Sequence, residues 1–312
     1  MGVIIVATGA TQFDPGEMYG YDGKEVITHL ELEERLRNGE LGARNIVFIK
    51  CVGARVPERL YCSRICCMTS IKNAILIKES TPEARVHILY RDLMCYGVAN
   101  EALLRKAKES GVKFINYSFE RPPIIENGKV RVYSDILGKE IGVNTELVVL
   151  VTPMVPQPDA KVLSRLLKTP LDRDGFFLEA HVKLRPLDFA TDGIYVCGTA
   201  HWPASVSESI EQALGAVARA STYLINERVT VEPIFSMLLD EDLCRGCGLC
   251  ASLCPYGAID MVQTEKGIKA RMIAVACKGC GTCGASCYRS AIKMNHYTDE
   301  QLIAQVRAAF SA

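Results

Sequence analysis

The pattern C-x2-C-x2-C-x3-C occurs twice in the last quarter of the chain, at Cys244, Cys247, Cys250, Cys254 and again at Cys277, Cys280, Cys283, Cys287. This is the spacing of bacterial two-cluster ferredoxins, in which the fourth cysteine of each run ligates the other cluster. Three thiolates two residues apart wrap the corners of one iron–sulfur cubane. The expected sets are therefore Cys244, Cys247, Cys250 with Cys287, and Cys277, Cys280, Cys283 with Cys254. Gly246, Gly248, Gly279 and Gly281 between them let backbone N–H groups approach the sulfurs, which tunes the potential. Pro255 turns the chain out of the first run. Zinc would call for paired C-x2-C knuckles, and disulfides for an oxidising compartment. The pattern therefore predicts a C-terminal module that holds two [4Fe-4S] clusters and moves electrons one at a time.

Composition excludes several other classes. The 312 residues carry no net formal charge, so nothing pulls the chain toward nucleic acid or a membrane surface. No apolar run approaches the ~18 residues of a spanning helix, so no membrane span is expected. The start, Met1-Gly2-Val3-Ile4-Ile5-Val6, lacks a basic segment before its apolar run and reads as a buried strand, not a signal peptide. The expected location is the cytoplasm, and low-potential clusters point to an anaerobe. No Walker motif or Ser–His–Asp set supports a phosphotransferase or hydrolase.

Ahead of the ferredoxin module, strand and helix patterns alternate, which predicts parallel α/β units. Residues 1–12 read as a strand, 29–39 as a helix, 45–50 as a strand ending at Cys51, and 70–78 as a helix. Strand 85–90, helix 101–110 and strand 112–117 follow. Asn127-Gly128 and Gly138 mark hairpin turns. Residues 146–151 and 193–198 read as buried strands, and 207–224 as a helix. Glu232-Pro233 opens the cysteine-rich module. Thr298 and Gln301 form a capping-box pattern ahead of a tail helix with Leu302, Ile303, Val306 and Phe310 on one face.

Of 14 cysteines, four more lie together at Cys51, Cys62, Cys66 and Cys67, and only Cys95 and Cys197 stand alone. Cys95 and Cys197 read as packed thiols. The group of four has no ferredoxin pattern. Single cysteines are often small core residues, whereas four at a strand end and a following helix start favour a metal. Both readings stand on spacing alone. In a dinucleotide-binding unit the strand before Cys51 would run into G-x-G-x-x-G. Here it runs into Cys51-Val-Gly-Ala-Arg55, which suggests that a cluster has replaced a nicotinamide site.

The stretches Val3-Ile-Ile-Val-Ala-Thr-Gly-Ala10, Ile46-Val-Phe-Ile-Lys-Cys-Val-Gly53, Tyr61-Cys-Ser-Arg-Ile-Cys-Cys-Met68 and Gly193-Ile-Tyr-Val-Cys-Gly198, with the double ferredoxin run, resemble the C-terminal portion of the A-type subunits of heterodisulfide reductase, the HdrA family. The resemblance covers nearly all of the chain. It implies an α/β fold: a truncated thioredoxin-reductase-like two-dinucleotide-domain flavoprotein core followed by an α+β two-[4Fe-4S] ferredoxin domain. The implied organisation is the end of an FAD-domain part at 1–20, a degenerate NAD(P)H-type domain with a four-cysteine cluster at 21–152, and the C-terminal part of the FAD domain at 153–230. The ferredoxin domain at 231–297 and the tail helix at 298–312 follow.

The resemblance also implies three [4Fe-4S] clusters, the third on Cys51, Cys62, Cys66 and Cys67, together with FAD. Gly9, Gly198, Thr199, Ser205 and Glu211 are the flavin candidates. Gly9 would close a turn on the adenine side, and Gly198 and Thr199 would approach the ribityl and pyrophosphate. The helix opening near Ser205 to Glu211 would point its positive end at the isoalloxazine. Lys72 matches a lysine that approaches the flavin in the family. The family's Pro-Lys after the last FAD strand is Pro203-Ala204 here, so flavin-based electron bifurcation is not carried over. His201 and Trp202 are placed to flank a flavin or simply to pack. The third FAD signature, G-x-G-x-x-G, is absent from the sequence, which predicts a partner chain that supplies it. The expected function is an electron-transfer subunit of a heterodisulfide-reductase-like complex. Its rivals are a self-contained NAD(P)H-oxidising flavoenzyme and a cluster-only relay or scaffold without flavin.

Overall fold

The computed structural model describes residues 2–225 and 237–310. They fall into two units, one of Ala10–Val155 with Pro203–Val206, the other of Met1–Gly9, Pro156–Trp202 and Ser207–Ala312. The opening of the cysteine-rich module at Glu232-Pro233, and with it the boundary at 230/231, lies outside the described residues.

The first unit is built on a five-stranded parallel sheet in the order Val26–Thr28, Leu147–Val151, Asn45–Lys50, Arg85–Tyr90, Lys113–Asn116. Its central strands are apolar almost throughout because both faces are covered. Ile46, Phe48 and Val149 face the helices and pack with Ile71, Ala74 and Ile77. Val47, Ile49, Val148 and Leu150 face the other way and pack with Val130, Val132 and Val143 of a three-stranded antiparallel meander. The meander turns at Asn127 and Gly128, both left-handed with φ of 48° and 70°, as a two-residue hairpin requires.

Helix His29–Asn38 starts from a capping box on Thr28 and Glu31 and ends on a left-handed Gly39. Helix Cys66–Ser80 starts four residues before the expected Ser70, so Cys66 and Cys67 form its first turn. The apolar run marked only where this helix becomes buried. Its first turn is fastened by the Ser70 hydroxyl donating to the Cys66 carbonyl at 2.8 Å.

From Asn45–Lys50 the chain moves outward through Arg85–Tyr90 to Lys113–Asn116, then returns to Leu147–Val151 on the opposite side. The carboxyl ends of Asn45–Lys50 and Leu147–Val151 therefore flank the topological switch point, where open α/β sheets bind their ligands.

The second unit joins Ile4–Val6 and Ile194–Val196 in a two-stranded parallel sheet, in register Ile4 with Ile194. The expected single strand over 1–12 is broken at Gly9 (φ 78°), and Ala10–Gln12 pairs instead with Met154–Pro156. Phe177 and Phe189 pack edge to face at 5.9 Å beneath the sheet, and Ala216 and Ala220 of helix Val206–Leu224 pack on Tyr195 and Cys197.

The ferredoxin module pairs Ile259–Thr264 with Gly267–Met272 and Met237–Leu239 with Ile292–Met294, all antiparallel. Lys278 of the module forms an ion pair at 3.0 Å with Asp192, in the turn before Ile194–Val196. The tail helix Asp299–Ala309 has the expected capping box, but Leu302, Ile303, Val306 and Phe310 are all exposed.

Candidate metal centres and cofactor site

The repeat in sequence becomes a repeat in space. One hollow is lined by Cys244, Cys247, Cys250 and Cys287, with Leu239, Met261 and Ile292 as apolar walls. A second is lined by Cys254, Cys277, Cys280 and Cys283, with Tyr256, Ile259 and Met272 around them. Each hollow takes three cysteines from one run and the fourth from the other, the arrangement that crossed ligation requires.

The backbone around them is shaped for sulfur. The Ala258 N–H donates to Cys254 Sγ at 3.3 Å. Gly246 has φ of 67°, and a Cβ there would stand 2.3 Å from the Ile268 carbonyl oxygen, so only glycine fits. Burial pushes the Cys250 and Cys283 thiols up, against the pull of the Ala251 and Gly284 amides. Four thiols around an apolar hollow suit a cubane, whose irons would take up the thiolate charge that burial disfavours.

Cys51 follows strand Asn45–Lys50 and Cys66 Sγ lies 3.8 Å from the Thr152 carbonyl after Leu147–Val151, so both stand at the switch point, with Cys62 and Cys67 within electrostatic range of Cys66. Cys51 follows strand Asn45–Lys50 in the left-handed region (φ 60°), a strained conformation typical of functional loops. Two residues on, Gly53 (φ 73°) lies against Phe13, and a Cβ there would come within 2.3 Å of the ring. Arg91 holds this loop by donating to the carbonyls of Arg55 at 3.0 Å, Cys51 at 3.4 Å and Ala54. Cys66 and Cys67 form the first turn of helix Cys66–Ser80.

The Arg64 N–H donates to Cys62 Sγ at 3.3 Å, and the Met94 N–H to Cys67 Sγ at 3.2 Å. Burial pushes the Cys66 thiol up to about 12, while Lys50 pulls the other way and the other three cysteines add to the rise. The four sulfurs thus feel one another's charge. Among the described residues, no group of three or more His, Cys, Asp or Glu is drawn together as a single metal ion requires. The four-thiol donor set and the N–H···S bonds fit a cluster.

Two features here were not singled out from sequence. Lys50 is 1% exposed, and its ammonium has no hydrogen-bond partner among the described residues. Arg55, paired with Asp92 at 2.6 Å, lies within electrostatic range of Cys51 and Cys62. The alternation of Ile46, Phe48 and Lys50 on one side of the strand was the available signal for the first.

Of the flavin candidates, Gly9, Gly198, Thr199 and Glu211 lie in the second unit and Ser205 in the first. Gly9 and Thr199 come together where the two parallel strands end, and a Cβ on Gly9 would stand 3.6 Å from Thr199 Oγ1. Gly198 (φ 66°) lies beside Ser209 in the first turns of helix Val206–Leu224. Ser205 immediately precedes that helix, and Glu211 is exposed on it. His201 is buried; its Nε2 is 2.9 Å from Glu179 and its Nδ1 is 3.2 Å from Gln212, with Trp202 stacked at 3.5 Å. Lys72, on helix Cys66–Ser80, forms an ion pair with Glu33 at 2.7 Å. Cys95 and Cys197 are buried, and burial pushes both thiols up.

The 4Fe-4S binding domain family model matches residues 237–260. The chain is 41% identical over 331 residues to an A-type iron-sulfur subunit of CoB–CoM heterodisulfide reductase from Methanopyrus kandleri, covering 99% of this chain and 50% of that protein. It is likewise 41% identical over 335 residues to the A-type subunit of H(2):CoB-CoM heterodisulfide,ferredoxin reductase from Methanothermobacter marburgensis, covering 100% of this chain and 50% of that one. A thioredoxin reductase from T. acidophilum superposes with a TM-score of 0.49 at 16% identity, over 72% of this chain and 66% of that one.

Proposed function

The chain belongs to the HdrA family, the A-type subunits of heterodisulfide reductase, and spans about half the length of the curated relatives it matches, and from that premise we propose that it is an electron-transfer iron–sulfur subunit of a heterodisulfide-reductase-like complex. The observation that carries this reading is the pair of hollows, each lined by four cysteines drawn from both ferredoxin runs. Bound [4Fe-4S] clusters and FAD supply one-electron transfer and its junction with electron pairs. The chain's own residues hold and insulate them. Cys244, Cys247, Cys250 and Cys287 grip one cluster, and Cys254, Cys277, Cys280 and Cys283 the next. Cys51, Cys62, Cys66 and Cys67 grip the third. Leu239, Met261 and Ile292 keep water from the first hollow, and Met272 and Tyr256 from the second.

FAD is proposed to lie along Gly9, Gly198 and Thr199, with Ser205 and Glu211 at the following helix, and to be completed by a partner chain carrying G-x-G-x-x-G. Two features support this: the sheet has two strands among the described residues, and Ile5 on it is 36% exposed. Lys72 is proposed, on the family resemblance, to approach the flavin, which would require it to leave Glu33. Among the described residues no helix is long and apolar enough to cross a membrane, and we place the complex in the cytoplasm of an anaerobe.

The test is anaerobic purification of the intact assembly, with iron and zinc analysis and low-temperature electron paramagnetic resonance. About twelve irons per chain in three one-electron centres are expected. Zinc or iron-free thiols at these positions would overturn the reading. Full reduction of the isolated chain by stoichiometric NAD(P)H would favour a self-contained flavoenzyme instead.

A further inference from the structure

We infer that the buried ammonium of Lys50 is the built-in counter-charge of the cluster held by Cys51, Cys62, Cys66 and Cys67, and that it raises the reduction potential of that cluster. The inference rests on the assignment of those four cysteines made above.

Lys50 is the last residue of strand Asn45–Lys50, in the centre of the parallel sheet. Side chains alternate along a strand. Ile46 and Phe48 point to the helix-covered face, where Cys67 and Cys95 are buried and Cys66 packs alongside. Lys50 is next in that series, and it lies within electrostatic range of both Cys66 and Cys95. The strand end is pinned from the opposite face, where the Tyr117 hydroxyl donates to the Lys50 carbonyl at 2.5 Å. The residue is 1% exposed, so its side chain is shut away from bulk water.

An unpaired ammonium in such a place is costly, and Lys50 Nζ has no hydrogen-bond partner among the described residues. The negative charge the site itself supplies is sulfur. Cluster ligands must be thiolates, so filling the site places four of them around an iron–sulfur core of smaller positive charge. The protein without its cluster therefore leaves Lys50 uncompensated, and the loaded protein satisfies it.

The consequence for redox chemistry has a definite sign. Adding one electron makes the cluster more negative by one charge, with no bond made or broken in the protein. A fixed positive charge in a low-dielectric interior stabilises the reduced state more than the oxidised one, and so raises the potential. Lys50 is thus a positioning residue for charge. It touches no substrate, and it acts through the cluster.

The experiment uses the full chain, purified without oxygen and titrated with reductant under electron paramagnetic resonance. Cys62→Ala first identifies the signal of this cluster. If it removes neither signal nor iron, the assignment of the four cysteines fails, whatever Lys50 does. With the signal identified, Lys50→Met is expected to keep the iron content and leave the ferredoxin-module signals in place. The ratio of reduced to oxidised cluster at a fixed solution potential should fall at least tenfold, a downward shift of at least about 59 mV for one electron. An unmoved potential overturns the inference. Should Lys50→Met fail to load the cluster, Lys50→Arg decides. Loading restored by the retained charge supports the role, and failure of both variants assigns Lys50 to packing alone.

Discussion

The ferredoxin module gathers eight cysteines around two hollows and the switch-point site gathers four, yet the two assemble them by different physics. In the module, each hollow takes three ligands from one short loop, where Gly246, Gly248 and Gly281 supply left-handed turns, and a single ligand from the companion loop. Its few buried side chains, such as Ile259, Ala270 and Ile292, form a small core. At the switch point, by contrast, Cys51 ends a strand, Cys66 and Cys67 begin a helix, and Cys62 lies on the loop between them. A complete five-stranded sheet and its helices hold those elements in place. The first kind of site is local and duplicated; the second borrows the rigidity of an α/β core, at the crevice where such cores ordinarily bind dinucleotides.

The contrast can be broken most sharply by single cysteines. Cys254 belongs by sequence to the first ferredoxin run and in space to the second hollow. Cys254→Ala and Cys280→Ala are therefore expected to remove the same resonance signal and about four irons each, while Cys62→Ala leaves both module signals intact. Loss of the Cys244 hollow's signal from Cys254→Ala would mean that ligation is not crossed.

A core mutation should separate the two sites by stability. Ile71 is fully buried on the helix that begins with Cys66 and Cys67, and Ile71→Ala should cost about 2–5 kcal/mol. On heating, iron should leave the Cys51 group at a lower temperature than in the unmutated chain, with the module's iron release unchanged. Equal shifts at both sites would show that the module depends on the same core.

The smallest expected effect is on pH dependence. Burial holds His29 and His87, both in the α/β unit, below the ordinary histidine value of 6.5. Below pH 6.5 the unfolded chain binds protons that the folded unit resists, so stability is present above that value and declines as pH falls. Urea midpoints followed by the unit's own signals should decrease from about pH 7 to pH 5, and His87→Gln should flatten the decline. A curve unchanged by that substitution would remove His87 from the account.

Spacing and periodicity carried most of the fold. The capping box at Thr28, the hairpin turn at Asn127-Gly128 and the tail helix cap at Thr298 depend on residues within a few positions of one another, so they are legible in one dimension. The start of the helix at Cys66 was not, because its first turn is secured by a side-chain bond and by packing, not by an apolar stripe. The exposed apolar face of the tail helix was not either, since amphipathicity says which face can be buried and not whether anything covers it.

The sequence by itself determined that twelve cysteines come in three groups, and that two of those groups form one duplicated module. Ligand spacing along a loop is a property of the chain. Only the tertiary structure decided that Cys51 and Cys66 stand at the switch-point end of a parallel sheet, and that Lys50, one residue before Cys51, is buried with no hydrogen-bond partner among the described residues. Burial and charge compensation arise between segments distant in sequence, and they take their values only when the strands and helices have closed around the site.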